Sequence, residues 1–132
     1  MPEENLPKIL IVDDQKNNLI LLEHLISSLN VKIYTTTSPH EAINLINQEE
    51  FALIISDVQM PGMSGFQMLQ KIREREENQY IPVIFISAIY TQDEHILKGI
   101  KTGAIDFIAK PFNHEIFLGK VEALLQIYLQ KK

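Results

Sequence analysis

The chain has no cysteine. Disulfides and thiolate metal sites are therefore excluded, and the expected setting is reducing and cytoplasmic. No apolar run approaches the ~20 residues of a membrane-spanning helix, and no signal-peptide pattern precedes Pro7. Positive charge is scarce: the net charge is −5, and no basic cluster occurs before the terminal Lys131-Lys132. Direct nucleic-acid binding is accordingly not expected of this piece. Linkers and low-complexity stretches are missing too, so the 132 residues read as one domain with room for a sizeable core.

What is present is a repeat of short apolar runs: Ile9–Val12, Val31–Tyr34, Leu53–Ile55, Val83–Ile86 and Ile105–Ile108. Each has the length and composition of a buried strand. Helical periodicity fills the intervals. Leu19, Leu22, Ile26 and Leu29 mark one face of a first helix. Ser38-Pro39-His40-Glu41 reads as an N-cap, a first-turn proline and a glutamate completing a capping box, followed by Ala42, Ile43 and Ile46 as a buried face. Ser64 is placed to cap a third helix carrying Phe66, Leu69 and Ile72. A fourth is expected from about Gln92 to Lys101 with Gly103 ending it, and Asn113 should cap the last. Strands alternating with helices over short loops predict a doubly wound α/β fold, its parallel sheet covered on both faces. Right-handed crossovers then bring all carboxyl ends of the strands to one edge.

That edge collects chemistry. Asp13 and Asp14 follow the first run, Asp57 the third, Ser87 the fourth and Lys110 the fifth. Taken singly, an aspartate after a strand is usually a helix cap, Ser87 a turn residue and Lys110 a solvated surface lysine. Their coincidence on one edge argues otherwise. Three acids repel unless a cation lies between them. Magnesium takes oxygen ligands and combines one or two carboxylates with phosphate, and a lysine beside it would neutralise the remaining charge. The set suits a hard cation and a phosphoryl group.

With these elements the chain resembles the receiver domain of two-component response regulators, from about Lys8 to Tyr128. The resemblance is carried by Ile9-Leu10-Ile11-Val12-Asp13-Asp14, Ser56-Asp57-Val58-Gln59-Met60-Pro61-Gly62-Met63-Ser64-Gly65, Ile86-Ser87-Ala88, Gly103-Ala104-Ile105-Asp106-Phe107 and Lys110-Pro111-Phe112. It implies a flavodoxin-like five-stranded sheet in the order 2-1-3-4-5, which the pattern alone does not yield. It further implies that Asp57 is the phosphoacceptor, supplied by a histidine kinase, a phosphotransfer protein or a small phosphodonor. Asp14, Asp57 and the Gln59 carbonyl would hold Mg²⁺ (Mn²⁺ as a substitute), with Asp13 acting through water. Lys110 and Ser87 would bind phosphoryl oxygens, joined by the backbone N–H of Ala88. Phe107 falls at the family's switch aromatic, although by composition alone it reads as a core residue. Phosphorylation would draw Ser87 inward and let Phe107 fill the vacated space. Pro111 stands where the family has a cis peptide. Gln59, two residues after Asp57, and Ile89, two after Ser87, fall where the family tunes dephosphorylation; Ile89 is apolar and cannot orient an attacking water, so a lifetime longer than that of an otherwise equal receiver with an acid there is expected.

The last helix carries two apolar stripes. One comprises Phe117, Val121, Leu124, Leu125 and Tyr128; the other, on the opposite side, comprises Ile116, Ala123 and Ile127. The first should face the sheet. The second is either covered by a loop or open to a partner, and in the resembled family the fourth helix, fifth strand and fifth helix form a dimer face. We expect residues 1–7 as an arm, a core over about 8–128, and 129–132 as the start of a linker helix into a longer protein. The domain should be no enzyme beyond its own phosphorylation and dephosphorylation. A receiver cut from a hybrid histidine kinase, or from a regulator with an enzymatic output, is the alternative. Haloacid-dehalogenase-like phosphatases place Asp-x-Asp after the first strand, whereas here the two acids are adjacent. A flavodoxin-like FMN site is opposed by the acids of Asp13-Asp14-Gln15-Lys16.

Overall fold

A computed structural model describes residues 5–87 and 105–130. Five strands, β1 (Lys8–Val12), β2 (Lys32–Thr36), β3 (Leu53–Asp57), β4 (Val83–Ser87) and β5 (Ile105–Ala109), form one parallel sheet in the order β2-β1-β3-β4-β5. The expected doubly wound α/β architecture is thus present. Four α-helices are described: α1 (Lys16–Ile26), α2 (Pro39–Gln48), α3 (Gly65–Arg73) and a C-terminal helix (His114–Gln130). The expected helix over Gln92–Lys101, together with Ala88, Ile89, Gly103 and Ala104, lies outside the described residues.

Alternation along the strands divides the core in two. Leu10, Val12, Ile54, Val83 and Phe85 point towards α2 and α3 and pack with Ala42, Ile46, Phe66, Leu69 and Ile72. Ile9, Ile11, Ile55, Ile84 and Ile86 point the other way, against Leu19, Leu22 and Ile26 of α1 and Phe117, Val121 and Leu125 of the C-terminal helix. Sheet strands buried on both faces have no use for polar alternation, which is why they read as continuous apolar runs.

Local chemistry sets the helix ends, with three departures from expectation. α1 stops at Ile26, where Ser27 Oγ donates to the His24 carbonyl at 2.7 Å; Leu29 lies past the helix yet still packs on the core. Ser38 caps α2 by accepting from the Glu41 N–H at 3.2 Å. Its own N–H, however, goes to Thr36 Oγ1 at 3.1 Å, so Thr36 takes the place expected of the Glu41 side chain. The reciprocal capping box forms instead at α3, between Ser64 and Gln67. Asn113 Oδ1 accepts from the N–H groups of Glu115 (2.8 Å) and Ile116 (3.0 Å), capping the C-terminal helix as expected. Finally, β2 begins one residue later than its apolar run and extends to Thr36, because pairing with β1 decides its span: Lys8 faces Lys32 and Val12 faces Thr36. No helix among the described residues is long and apolar enough to cross a membrane.

Candidate functional site

Strand register assembles the site. Val12 is paired with Ser56, so Asp13, the next residue, stands level with Asp57 at the end of β3. The ladder continues one step beyond β1, where the Asp13 N–H donates to the Thr36 carbonyl at 3.2 Å. On the other side Ser87 is paired with Ala109, and the Lys110 N–H donates to the Ser87 carbonyl at 2.9 Å. Acids from two strands and an amine following a third are therefore held on one edge by backbone hydrogen bonds.

Carboxylate oxygens of Asp13, Asp14 and Asp57 all lie within 4.8 Å of one another. Asp13 is the buried member, at 1% exposure, while Asp14 and Asp57 are half-buried. Its Oδ1 accepts from the Gln15 N–H at 2.9 Å and from Asn18 Nδ2 at 3.4 Å. Its Oδ2 lies 4.0 Å from Lys110 Nζ. Burial pushes the Asp57 carboxyl above its ordinary range, and the charge of Asp13 adds to this. Lys110 and the backbone N–H groups of Val58 and Gln59 act in the opposite sense. A carboxylate held in this way gains from a positive charge placed beside it. The donors offered are all oxygens, which fits a hard divalent cation.

Ser87 is buried at the end of β4. Phe107 is not the enclosed core residue that composition suggests. It is 38% exposed and stacks on Phe85 at 5.5 Å and 28°, with Phe66 at 6.0 Å. Phe85 in turn meets Phe66 edge-on at 4.9 Å. The peptide bond between Lys110 and Pro111 is cis. Asn18, which orients Asp13, carries no signal of its own in the sequence, and Ser56, whose Oγ donates to the Asp57 carbonyl at 2.8 Å, is noted there only as the neighbour of Asp57 in a motif. Both are ordinary polar residues until the fold places them.

The family model of the response regulator receiver domain matches residues 9–122. Among curated proteins, the response regulator protein TmoT of Ectopseudomonas mendocina is 37% identical over 124 residues, covering 94% of this chain and 55% of TmoT. Among solved structures, the chemotaxis protein CheY4 of Vibrio cholerae superposes with a TM-score of 0.81 at 26% identity, covering 90% of this chain and 98% of that one. The receiver domain of the sensor histidine kinase PA1611 from Pseudomonas aeruginosa, which has a magnesium ion coordinated in its active-site cleft, superposes with a TM-score of 0.75 at 23% identity, covering 94% and 98%; it is evidence of the shared fold. The chain spans about half the length of the first curated relatives it matches. On the match across most of its residues, this chain belongs to the response regulator receiver domains of two-component signalling.

Proposed function

We propose that Asp57 accepts a phosphoryl group in a reaction assisted by a divalent cation, Mg²⁺ in the first place and Mn²⁺ as a substitute. The observation that carries this reading is the trio of carboxylates within 4.8 Å, with the Lys110 ammonium at its margin. The cation would be held by Asp14, Asp57 and the Gln59 carbonyl, with Asp13 engaged through water. When bound it supplies charge neutralisation between the acids and the incoming phosphoryl oxygens. The protein's residues then work by positioning. A carboxylate oxygen of Asp57 attacks phosphorus in line, the bond from phosphorus to the donor's histidine nitrogen or acyl oxygen breaks, and the donor leaves with that electron pair. Lys110 and Ser87 would steady the transferred oxygens. Aspartate is a weak nucleophile, so such a site depends on charge and geometry more than on activation of the acid.

Receiver domains take their phosphoryl group from histidine kinases or phosphotransfer proteins, and we assign that class of partner here. The readout would be Phe107, whose ring at the rim of the aromatic cluster can move inward when Ser87 is drawn to the phosphoryl group. We further propose that the face comprising β5 and the C-terminal helix is open to a second copy. The chain spans about half the length of its curated relatives, so the output, transcriptional or enzymatic, would belong to a parent protein. The domain itself would catalyse only its own phosphorylation and dephosphorylation.

Intact mass after incubation with acetyl phosphate and Mg²⁺ tests the core of this reading. One phosphoryl group is expected on wild type, none on Asp57→Asn, and none on wild type in EDTA. Lys110→Ala should still be modified but should leave the Phe107 ring resonances unshifted. An adduct on Asp57→Asn would reject Asp57 as the acceptor.

A further inference from the structure

Gly65 opens α3, yet its φ is not in the left-handed region that favours glycine; among the described glycines only Gly62 is, at +81°. Within a helix alanine is the better former by roughly 1 kcal/mol, so propensity does not explain a glycine here. Space does. A Cβ on Gly65 would lie 2.3 Å from the Asp57 carbonyl oxygen, well inside the 3.0 Å that real Cβ contacts respect. It would also lie 3.2 Å from Ser56 Oγ and 3.0 Å from Phe85 Cε1. The Gly65 N–H meanwhile donates to the Val58 carbonyl at 2.7 Å, and Ser56 Oγ donates to the Asp57 carbonyl at 2.8 Å.

These contacts all fall on the short turn that follows β3, whose Val58 and Gln59 backbone N–H groups favour the ionised Asp57 carboxyl. We propose that Gly65 and Ser56 are positioning residues that clamp the backbone of Asp57 and Val58, and so set where the acceptor carboxylate and the Gln59 carbonyl stand. This inference rests on Asp57 being the acceptor. Ser56 is 1% exposed and its hydroxyl is directed at a single carbonyl. Gly65 brings the first turn of α3 against that same carbonyl, which no residue with a side chain could do without displacing it. Misplacement by a fraction of an ångström matters at a site that works by in-line geometry.

The test compares Gly65→Ala and Ser56→Ala with wild type and with Leu69→Ala, a buried α3 control one helical turn on from Gly65, at a temperature where all are folded. Three quantities are read: the saturating rate of modification by acetyl phosphate, the Mg²⁺ affinity by NMR titration, and amide hydrogen exchange at Val58 and Gln59. Gly65→Ala is expected to lower the saturating rate about tenfold or more, as displacement of a reacting group does. Ser56→Ala, which loses one hydrogen bond, should lower it about threefold. Both should weaken Mg²⁺ binding and speed exchange at the two amides, and Leu69→Ala should do none of these. Unchanged values in both variants overturn the clamp, and so do changes that Leu69→Ala reproduces. Should wild type take no phosphoryl group, the acceptor reading falls alone, and the exchange measurement still decides the clamp. Since Gly65→Ala also presses on Phe85, an effect in Ser56→Ala is the sharper support.

Discussion

Asp57 is pulled two ways. As the proposed phosphoacceptor it must be ionised, yet burial and the neighbouring Asp13 make ionisation costly in the fold. A raised carboxyl contributes stability while protonated, and that contribution is lost as pH rises through its folded value. In metal-free solution at pH 7, Asp57→Asn is therefore expected to have a higher melting temperature than wild type. The gap should close below about pH 4, where an ordinary carboxyl is itself protonated. Melting curves at both pH values check this; a gap that persists at low pH would show that charge is not its cause. Arg73 presents the opposite situation. It is 8% exposed, its guanidinium is pushed down to about 10 by burial, and only Nη1 finds a partner, the Asn78 carbonyl at 2.8 Å; Nε and Nη2 have none among the described residues. Burying a charge costs more than burying an apolar chain of like volume. Chemical denaturation should find Arg73→Met within about 1 kcal/mol of wild type, and Arg73→Ala lower by about 2 kcal/mol or more through the cavity it leaves.

Among the elements, the C-terminal helix connects the core to the outer surface. Its inner stripe, Phe117, Val121 and Leu125, is buried, Leu124 and Tyr128 are partly so, and Tyr128 donates to Glu50. Lys120 bridges to Asp106 of β5 at 2.8 Å. Asn113 caps the start of the helix, and loss of that cap in Asn113→Ala is expected to lower unfolding free energy by about 1 kcal/mol. Equilibrium denaturation is the measurement. Elsewhere on the sheet, Glu49, just past α2, accepts from Tyr34 and pairs with Lys8 at 3.0 Å, which holds its carboxyl below the usual range and ties the start of β1 and the middle of β2 to the end of α2.

Across the whole molecule the polarity is clear: fastening at the amino-terminal edge of the sheet, chemistry at the carboxyl edge, and an apolar outer face on the last helix. Ile116 is 59% exposed and Ile127 43%, so the second stripe has no cover among the described residues. Replacing both by glutamate should leave the melting temperature within a few degrees, since neither supports the core. If the stripe is a dimer face, light scattering on the phosphorylated protein should lose its dimer fraction in that variant. An unchanged dimer would place the contact elsewhere.

Five strands, most helix faces, the caps at Ser38, Ser64 and Asn113 and the row of acids, hydroxyl and amine were all legible in the sequence. Each is written in local spacing: apolar runs bounded by turn residues, periods of helical length, and polar residues just after strands. The sheet order and the roles of Asp57, Lys110 and Phe107 came from resemblance rather than spacing. What only the tertiary structure decided depends on contacts between segments distant in the chain. Pairing with β1 moved the span of β2 and turned Thr36 into half of the α2 cap. The stacking of Phe107 on Phe85 needed β4 and β5 side by side in register. The closeness of Gly65 to the Asp57 carbonyl needed α3 packed against the end of β3. Local spacing names the residues that can take part, but distances between them are set by packing, which no short window of sequence contains.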